Sequence, residues 1–285
     1  LFVDRSNRLW IGSFGAGARY AEIAPTPMAQ WRWRNWTDQA DSRDRQIWAY
    51  AESATGDLFI GSDAGVTRWR ADGREQTHFD LDPEKNDELR SLLATSDGRI
   101  WASTVGAVYR IDPDTLASTR FAHKEGLIDA RAYALAEWPR GQLVIGTWSG
   151  LHTMALDGDR IRPLPLKLDG KDYDAHLVWD LHPDRDGALW IGTSAGLLHL
   201  ATPEQPALRR YAEPDGLPNA VVYAIEAHAD ELWLSTNRGI ARFDKRARRA
   251  VAFTVRDGLQ GNEFGVGMAA QDRDSRLYFA GLGGV

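Results

Sequence analysis

Gly192-Thr193-Ser194-Ala195-Gly196 has the Gly-x-Ser-x-Gly spacing of a hydrolase nucleophile elbow. Such an elbow exposes its serine on a strained turn between a strand and a helix, with a histidine and a carboxylate converging on it. The equivalent places elsewhere in the chain read GSDAG, GTWSG and STNRG. The serine is therefore one variant of a recurring hairpin turn, and no catalytic residue is assigned. Asp184-Arg185-Asp186-Gly187 and Asp272-Arg273-Asp274 open like a calcium loop, but no glutamate closes either one at the twelfth place. Tight turns account for both. The seven histidines (His78, His123, His152, His176, His182, His199 and His228) show no metalloprotease spacing and read as surface or turn residues. With no cysteine in the chain, disulfides, thiolate metal sites and a thiol nucleophile are excluded. No metal and no cofactor is expected.

The elements that would position these residues repeat. Copies of one pattern begin RLWIGSFGAGARY, DLFIGSDAGVTRW, RIWASTVGAVYRI, QLVIGTWSGLHTM, ALWIGTSAGLLHL, ELWLSTNRGIARF and RLYFAGLGGV. Their anchors, Leu9, Leu58, Ile100, Leu143, Leu189, Leu232 and Leu277, stand 42 to 49 residues apart. A period near 45 with short apolar runs is the signature of a solenoid or propeller. In the fifth copy His176 to His182 reads as a first strand, PDRDG as a turn, Leu189 to Thr193 as a second strand, Leu197 to Leu200 as a third, and about Leu208 to Tyr211 as a fourth. Four short strands in about 45 residues make a propeller blade.

After each anchor comes a mostly aromatic position (Trp10, Phe59, Trp101, Val144, Trp190, Trp233, Tyr278) and then another apolar one. Three consecutive apolar residues face both sides of a sheet, because side chains alternate along a strand. A blade stacked between two others has no wet face, and so explains a run that a half-exposed antiparallel sheet does not. The next position is always small (Gly12, Gly61, Ser103, Gly146, Gly192, Ser235, Ala280), which leaves room for a bulky ring of the neighbouring blade. The aromatic stripe is thus core. We expect an all-β, seven-bladed propeller of four-stranded blades, a single domain over residues 1–285, with its last blade incomplete. Strand counting further implies that residues beyond one terminus complete the ring.

The chain of 285 residues is 43% hydrophobic and 26% charged, with 12 Trp, enough for a large core. Its net charge of −6 and scattered basic residues exclude the electrostatic footprint of nucleic-acid binding. No run of about 18 apolar residues is present, so no membrane contact by this chain itself is expected.

Between blades the sequence reads HKEGLIDARAYALAE, EPDGLPNAVVYAIE and VRDGLQGNEF, where Leu127, Leu217 and Leu259 are placed to plug the gap. Together with LWIGTSAGLLHL, LWLSTNRGIARF and NEFGVGMAAQDRDSRLYFAGLGGV, these stretches resemble the two-component regulator propeller repeat of bacterial sensor proteins. The resemblance covers nearly all of the chain, although Ala102-Ser103 and Val144 depart from the pattern. It implies the periplasmic, sensory part of an inner-membrane receptor, a dimer in the full receptor, with a histidine kinase or diguanylate cyclase as output.

First strands of a propeller line its central channel, and one position in them is large and varied: Trp48, Arg90, Tyr133, Trp179 and Tyr223, with Asp180 and Glu226 adding acceptors. Rings and a guanidinium around a funnel suit stacking on a sugar or another planar or polyol ligand, or alternatively simply plug the channel. His176 and His182 flank one first strand, from which they could reach the channel, but the reading as surface or turn residues is preferred. The expected partner is a small molecule or oligosaccharide, or a periplasmic protein. A reading from another class is a propeller enzyme similar to virginiamycin B lyase or a lactonase, with a channel metal. It needs convergent His, Asp or Glu on first strands that here carry mainly Trp, Tyr, Ala and Val. A protein-interaction scaffold is a third reading, but the tryptophan-aspartate signature of such repeats is missing.

Overall fold

Every anchor of the repeat lies at or next to the start of the second strand of an antiparallel meander. A computed structural model describes residues 1–36, 46–82, 88–173, 177–203 and 205–285. Blade one comprises Phe2–Val3, Arg8–Gly12, Ala18–Glu22 and Arg34–Asn35. Blade two comprises Ile47–Glu52, Leu58–Ser62, Gly65–Trp69 and Gln76–Phe79, and blade three Leu89–Ala94, Ile100–Thr104, Val108–Ile111 and Ser118–Phe121. Blade four is Ala132–Glu137, Gln142–Thr147, Gly150–Ala155 and Arg162–Pro163; blade six is Ala224–His228, Glu231–Thr236, Gly239–Asp244 and Arg249–Phe253. In each of these five blades the strands pair in sequence order.

Blade five departs from this plan. Its core strands are Val178–Pro183, Leu189–Thr193, Gly196–Thr202 and Gln205–Tyr211, close to expectation, while His176 lies outside the described residues. A hairpin of Leu166–Leu168 and Lys171–Tyr173 adds two outer strands, because Leu166–Leu168 runs parallel to Gln205–Tyr211. The seventh repeat gives only the two-stranded sheet Phe264–Gln271 and Leu277–Gly281. The seven-blade expectation is therefore corrected to six blades and a hairpin. The two-stranded sheet agrees with the expectation that the last blade is incomplete in this chain.

First strands lie beside first strands around the axis, and Phe2–Val3 lies beside Phe264–Gln271. On the outer side of the hairpin, Arg276 Nη1 donates to the Ala24 carbonyl at 3.2 Å and Trp31 meets Tyr278 edge-on at 6.2 Å. Most of the aromatic stripe is core: Trp10, Phe59, Trp101, Trp190 and Tyr278 are buried, whereas Trp233 is only partly so and stacks on Phe253.

The small position admits something other than a ring. A Cβ on Gly12 would meet Ile47, on Gly61 Leu89, on Gly146 Val178, and on Gly192 the Val222 carbonyl at 2.8 Å. The expected bulky ring is thus an aliphatic side chain or backbone at the start of the next blade's first strand. Glycine lets the inner strands approach closely enough to narrow the channel.

The linkers form single turns of 3-10 helix at His123–Glu125, Glu213–Asp215 and Val255–Asp257. In each, the third residue's carboxylate accepts an amide from just before the turn: Glu125 from Ala122, Asp215 from Ala212, Asp257 from Thr254. Gly216 closes its turn at φ 98°, a conformation L side chains rarely adopt, with the Ala250 carbonyl 2.3 Å from where a Cβ would sit. Leu127 and Leu217 are buried as expected, but Leu259, beside the short hairpin, is only partly so.

Candidate functional site in the central funnel

Each of four first strands carries its large, varied residue on a β-bulge. Pairing skips from Ile47 to Ala49 opposite Ser62 and Gly61, so that Trp48 is the extra residue. The same skip isolates Arg90 between Leu89 and Ser91, Tyr133 between Ala132 and Ala134, and Trp179 between Val178 and Asp180. A bulge breaks alternation and re-aims one side chain. Here all four bulge residues line one cavity of about 530 Å³, within the range of small-molecule sites. Tyr223 stands just before the first strand of blade six and touches the Trp179 ring.

The rings form a continuous arc from blade one to blade six. Phe14 meets Trp48 edge-on at 5.3 Å, and the Arg90 guanidinium lies over Trp48 at 4.5 Å and 5.8 Å from Tyr133. Tyr133 meets Trp179 at 5.3 Å, and Trp179 meets Tyr223 at 5.7 Å, both edge-on. Such contacts add about 0.5–1.5 kcal/mol each beyond burial and hold the rings in place. A second guanidinium, that of Arg131, lies over Trp148 at 4.5 Å while bridging Asp129. The seventh sheet contributes no ring to this wall: its first strand bulges more widely between Phe264 and Ala269 and presents Val266, Gly267 and Met268 to the cavity.

Phe14, Trp148, Arg131, Tyr50, Val266 and Met268 were not singled out by sequence. Phe14 and Trp148 share a readable signal, since each stands five places after its repeat anchor, Leu9 or Leu143. The Met268 and Val266 positions carry no repeat signal.

Polar groups complete the wall. Asp180 lines the cavity, its Oδ2 accepting from the Ile225 amide at 2.7 Å and its Oδ1 from the Leu181 amide at 2.9 Å. Burial pushes its carboxyl up to about 6, against the opposing pull of those two amides. Glu226 is not among the cavity-lining residues. Burial first, and the Asp180 charge second, push Glu226 up to about 8. Arg90 is held by Glu88 through one terminal nitrogen, while its Nε and Nη1, the Trp179 Nε1 and the Tyr50 hydroxyl have no partner among the described residues. Burial pushes the Tyr50 phenol far up.

The other candidates resolve into framework. Ser194 sits on a two-residue turn between strands Leu189–Thr193 and Gly196–Thr202, with no helix after it. Asp184 accepts from the Trp190 indole at 2.9 Å and from Lys245 Nζ of blade six at 2.8 Å. Asp272 accepts from the Tyr278 hydroxyl at 2.9 Å, and Asp4 likewise from Trp10 Nε1 at 2.7 Å. These aspartates tie each turn to the second-strand aromatic six residues on. Among the described residues no three His, Cys, Asp or Glu side chains gather as a metal site would require. The histidines are less superficial than expected. His152 is buried, with Nε2 accepting from the Ile128 amide at 3.4 Å, and His199 packs on Trp190 at 4.3 Å. The His182 ring is half-buried, and that burial lowers its pKa.

Residues 173–195, spanning the first two strands of blade five, match the family described as two component regulator propeller. That stretch is similar to the family's repeat. A search of the curated proteins finds no match. The fold is shared with structures described as extracellular domains of hybrid two component systems from B. thetaiotaomicron. One matches at 19% identity and TM-score 0.81 over 99% of this chain and 37% of its own length; another at 15% and 0.74 over 98% and 38%. The chain therefore spans well under half the length of those structures. Virginiamycin B lyase from Staphylococcus aureus shares the fold at 16% identity and TM-score 0.65, over 83% of this chain and 78% of the lyase. Among the described residues, no helix is long and apolar enough to cross a membrane.

Proposed function

We propose that this regulator propeller is the non-catalytic, ligand- or partner-sensing module of a bacterial membrane signal receptor, held on the periplasmic side, with the funnel as its recognition surface. The observation that carries the reading is the arc from Phe14 to Trp179: successive blades deliver rings and a guanidinium to one cavity, four of them on bulges, while Tyr223 packs on Trp179 without being among the cavity-lining residues. Bulges that interrupt pairing four times over are features a merely plugged channel does not require. The repeat match and the likeness to extracellular sensor domains support the receptor context. A ligand acts by favouring one arrangement of two receptor chains, which an output kinase or cyclase reads. Sugars, polyols and planar metabolites suit the stacked rings, with Arg90 and Asp180 orienting them.

A thermal-shift screen of the chain against mono- and oligosaccharides, amino acids and divalent metals tests this. A ligand at a hundred times its dissociation constant adds about 2.7 kcal/mol of stability. A shift with one metabolite class supports direct sensing, and its loss in Trp179→Ala places the ligand in the funnel. Shifts with metals alone redirect the reading to a lyase-like enzyme, and no shift at all to recognition of a protein.

A further inference from the structure

The funnel holds a feature that narrows the chemistry of its ligand. Arg90 lies flat against Trp48 beneath the cavity wall, its side chain 16% exposed, and the acidic group that holds it is Glu88, only two residues away and 59% exposed. Two of the three guanidinium nitrogens have no acceptor among the described residues, nor do the Trp179 indole and the Tyr50 hydroxyl of the same cavity. Hydrogen-bond donors thus outnumber acceptors along this part of the wall. Buried donors without acceptors are costly, and acceptors bearing a full charge satisfy them best. The rest of the lining is flat or apolar: Phe14, Ile47, Trp48, Leu92, Tyr133 and Met268.

We propose that the cavity takes a small organic anion with a flat apolar body, whose carboxylate replaces that of Glu88 on Arg90 while the body lies against the Trp48, Tyr133 and Trp179 rings. This deepens the ligand-sensing reading and rests on it. Glu88 acts as an internal stand-in for the ligand. Exposed at its carboxylate end, it leaves without disturbing the blade, and the freed guanidinium turns on the Trp48 face to present its remaining N–H groups. Arg131, which donates from Nε and Nη2 to Asp129, is not among the cavity-lining residues and does not compete.

The test uses the 285-residue chain, with benzoate and its neutral isostere benzamide as probes, and reads the indole N–H resonances by NMR together with calorimetric affinity. Benzoate is expected to shift the Trp48 and Trp179 indoles and to bind about tenfold or more tighter than benzamide, the range a charged hydrogen bond commands. Glu88→Gln, at an exposed position, is expected to tighten benzoate several-fold and leave benzamide unchanged. Arg90→Gln is expected to abolish the difference between probes, with Arg90→Lys retaining part of it and reporting on any folding defect. Equal binding of the two probes at the funnel indoles overturns the anion proposal and leaves the funnel as the site. Benzoate affinity unaffected by Glu88→Gln overturns the replacement step. Probe shifts confined to indoles outside the funnel overturn the proposal and the funnel reading together.

Discussion

The Asp180 carboxylate of blade five accepts a hydrogen bond from the Ile225 amide of blade six at 2.7 Å, one residue from the Trp179 ring that faces the funnel. The contact joins two blades at the channel wall and places a buried carboxyl beside the candidate site. Its neighbour in charge is Glu226, which does not line the cavity, so one acid in the wall and one outside it resist ionisation together.

A pH dependence follows from that pair. The folded-state values, about 6 for Asp180 and about 8 for Glu226, lie above the ordinary 3.8 and 4.5. A raised acid contributes stability that is fully present below its ordinary value and is lost as pH rises through its folded value. The contribution of this pair is therefore expected to be lost from about pH 4 upward, with the Glu226 part lost last, near pH 8. Glu226→Gln should melt higher than wild type at about pH 9, with the gap closing toward about pH 4. A variant that melts lower than wild type at the alkaline end contradicts the burial of charge assigned to Glu226.

Asp184 accepts from both Trp190 of blade five and Lys245 of blade six. Burial raises its carboxyl, but the bonds from Lys245, Trp190 and the Arg185 amide outweigh that and hold it below the usual range. Asp184→Ala strands a buried ammonium and an indole N–H, and should cost about 3 kcal/mol in urea unfolding at neutral pH. Thr95 occupies the same place in blade three, and there the Trp101 indole lacks a partner among the described residues. Thr95→Asp should supply it and raise stability by about 1 kcal/mol. Opposite signs at equivalent places make the pair of variants a stringent check.

Gly192 faces the Val222 carbonyl of the next blade at a distance that excludes a Cβ. Gly192→Ala should cost about 1–3 kcal/mol, because the obstacle is backbone and cannot rotate away. Gly261, with open space around it and no left-handed backbone, is the control, and Gly261→Ala should stay within about 0.5 kcal/mol of wild type. Equal losses at both positions would remove close blade packing as the reason for the small residue.

Trp179 is the hinge of the ring arc, touching Tyr133 on one side and Tyr223 on the other. In the receptor that the proposed function assigns to this chain, Trp179→Ala with Tyr223→Ala should abolish the output response to the signal while the propeller still melts cooperatively. An intact response would show that recognition takes place elsewhere than in the funnel.

Much of the fold was legible because a blade cannot hide its chemistry. Apolar triplets such as Leu189-Trp190-Ile191 need cover on both faces, and Asp-Gly or Gly-containing turns every ten residues or so forbid helices. The number of blades was not legible. Seven anchors read as seven blades, the last incomplete, yet an anchor marks only a second strand, and around Leu277 the described residues form a two-stranded sheet and not a blade. The extra hairpin at Leu166–Tyr173 was equally hidden, since its parallel pairing to blade five joins residues about forty apart with no repeat to announce it.

For the candidate site, sequence determined the residue types and their recurrence: a large side chain near the start of each first strand, small residues where strands approach, and Asp or Gly in the turns. Tertiary structure alone decided which way those side chains face. Strict alternation would send Trp48, Arg90, Tyr133 and Trp179 to the same blade face as residues two places away, and a single unpaired residue at each bulge turns them to the axis instead. It also decided that Phe14 joins the arc and that Glu226 stands away from the cavity. Period and polarity are properties of one strand, whereas aim toward a common axis is set by the pairing of each strand with its neighbour and by the packing of blade on blade.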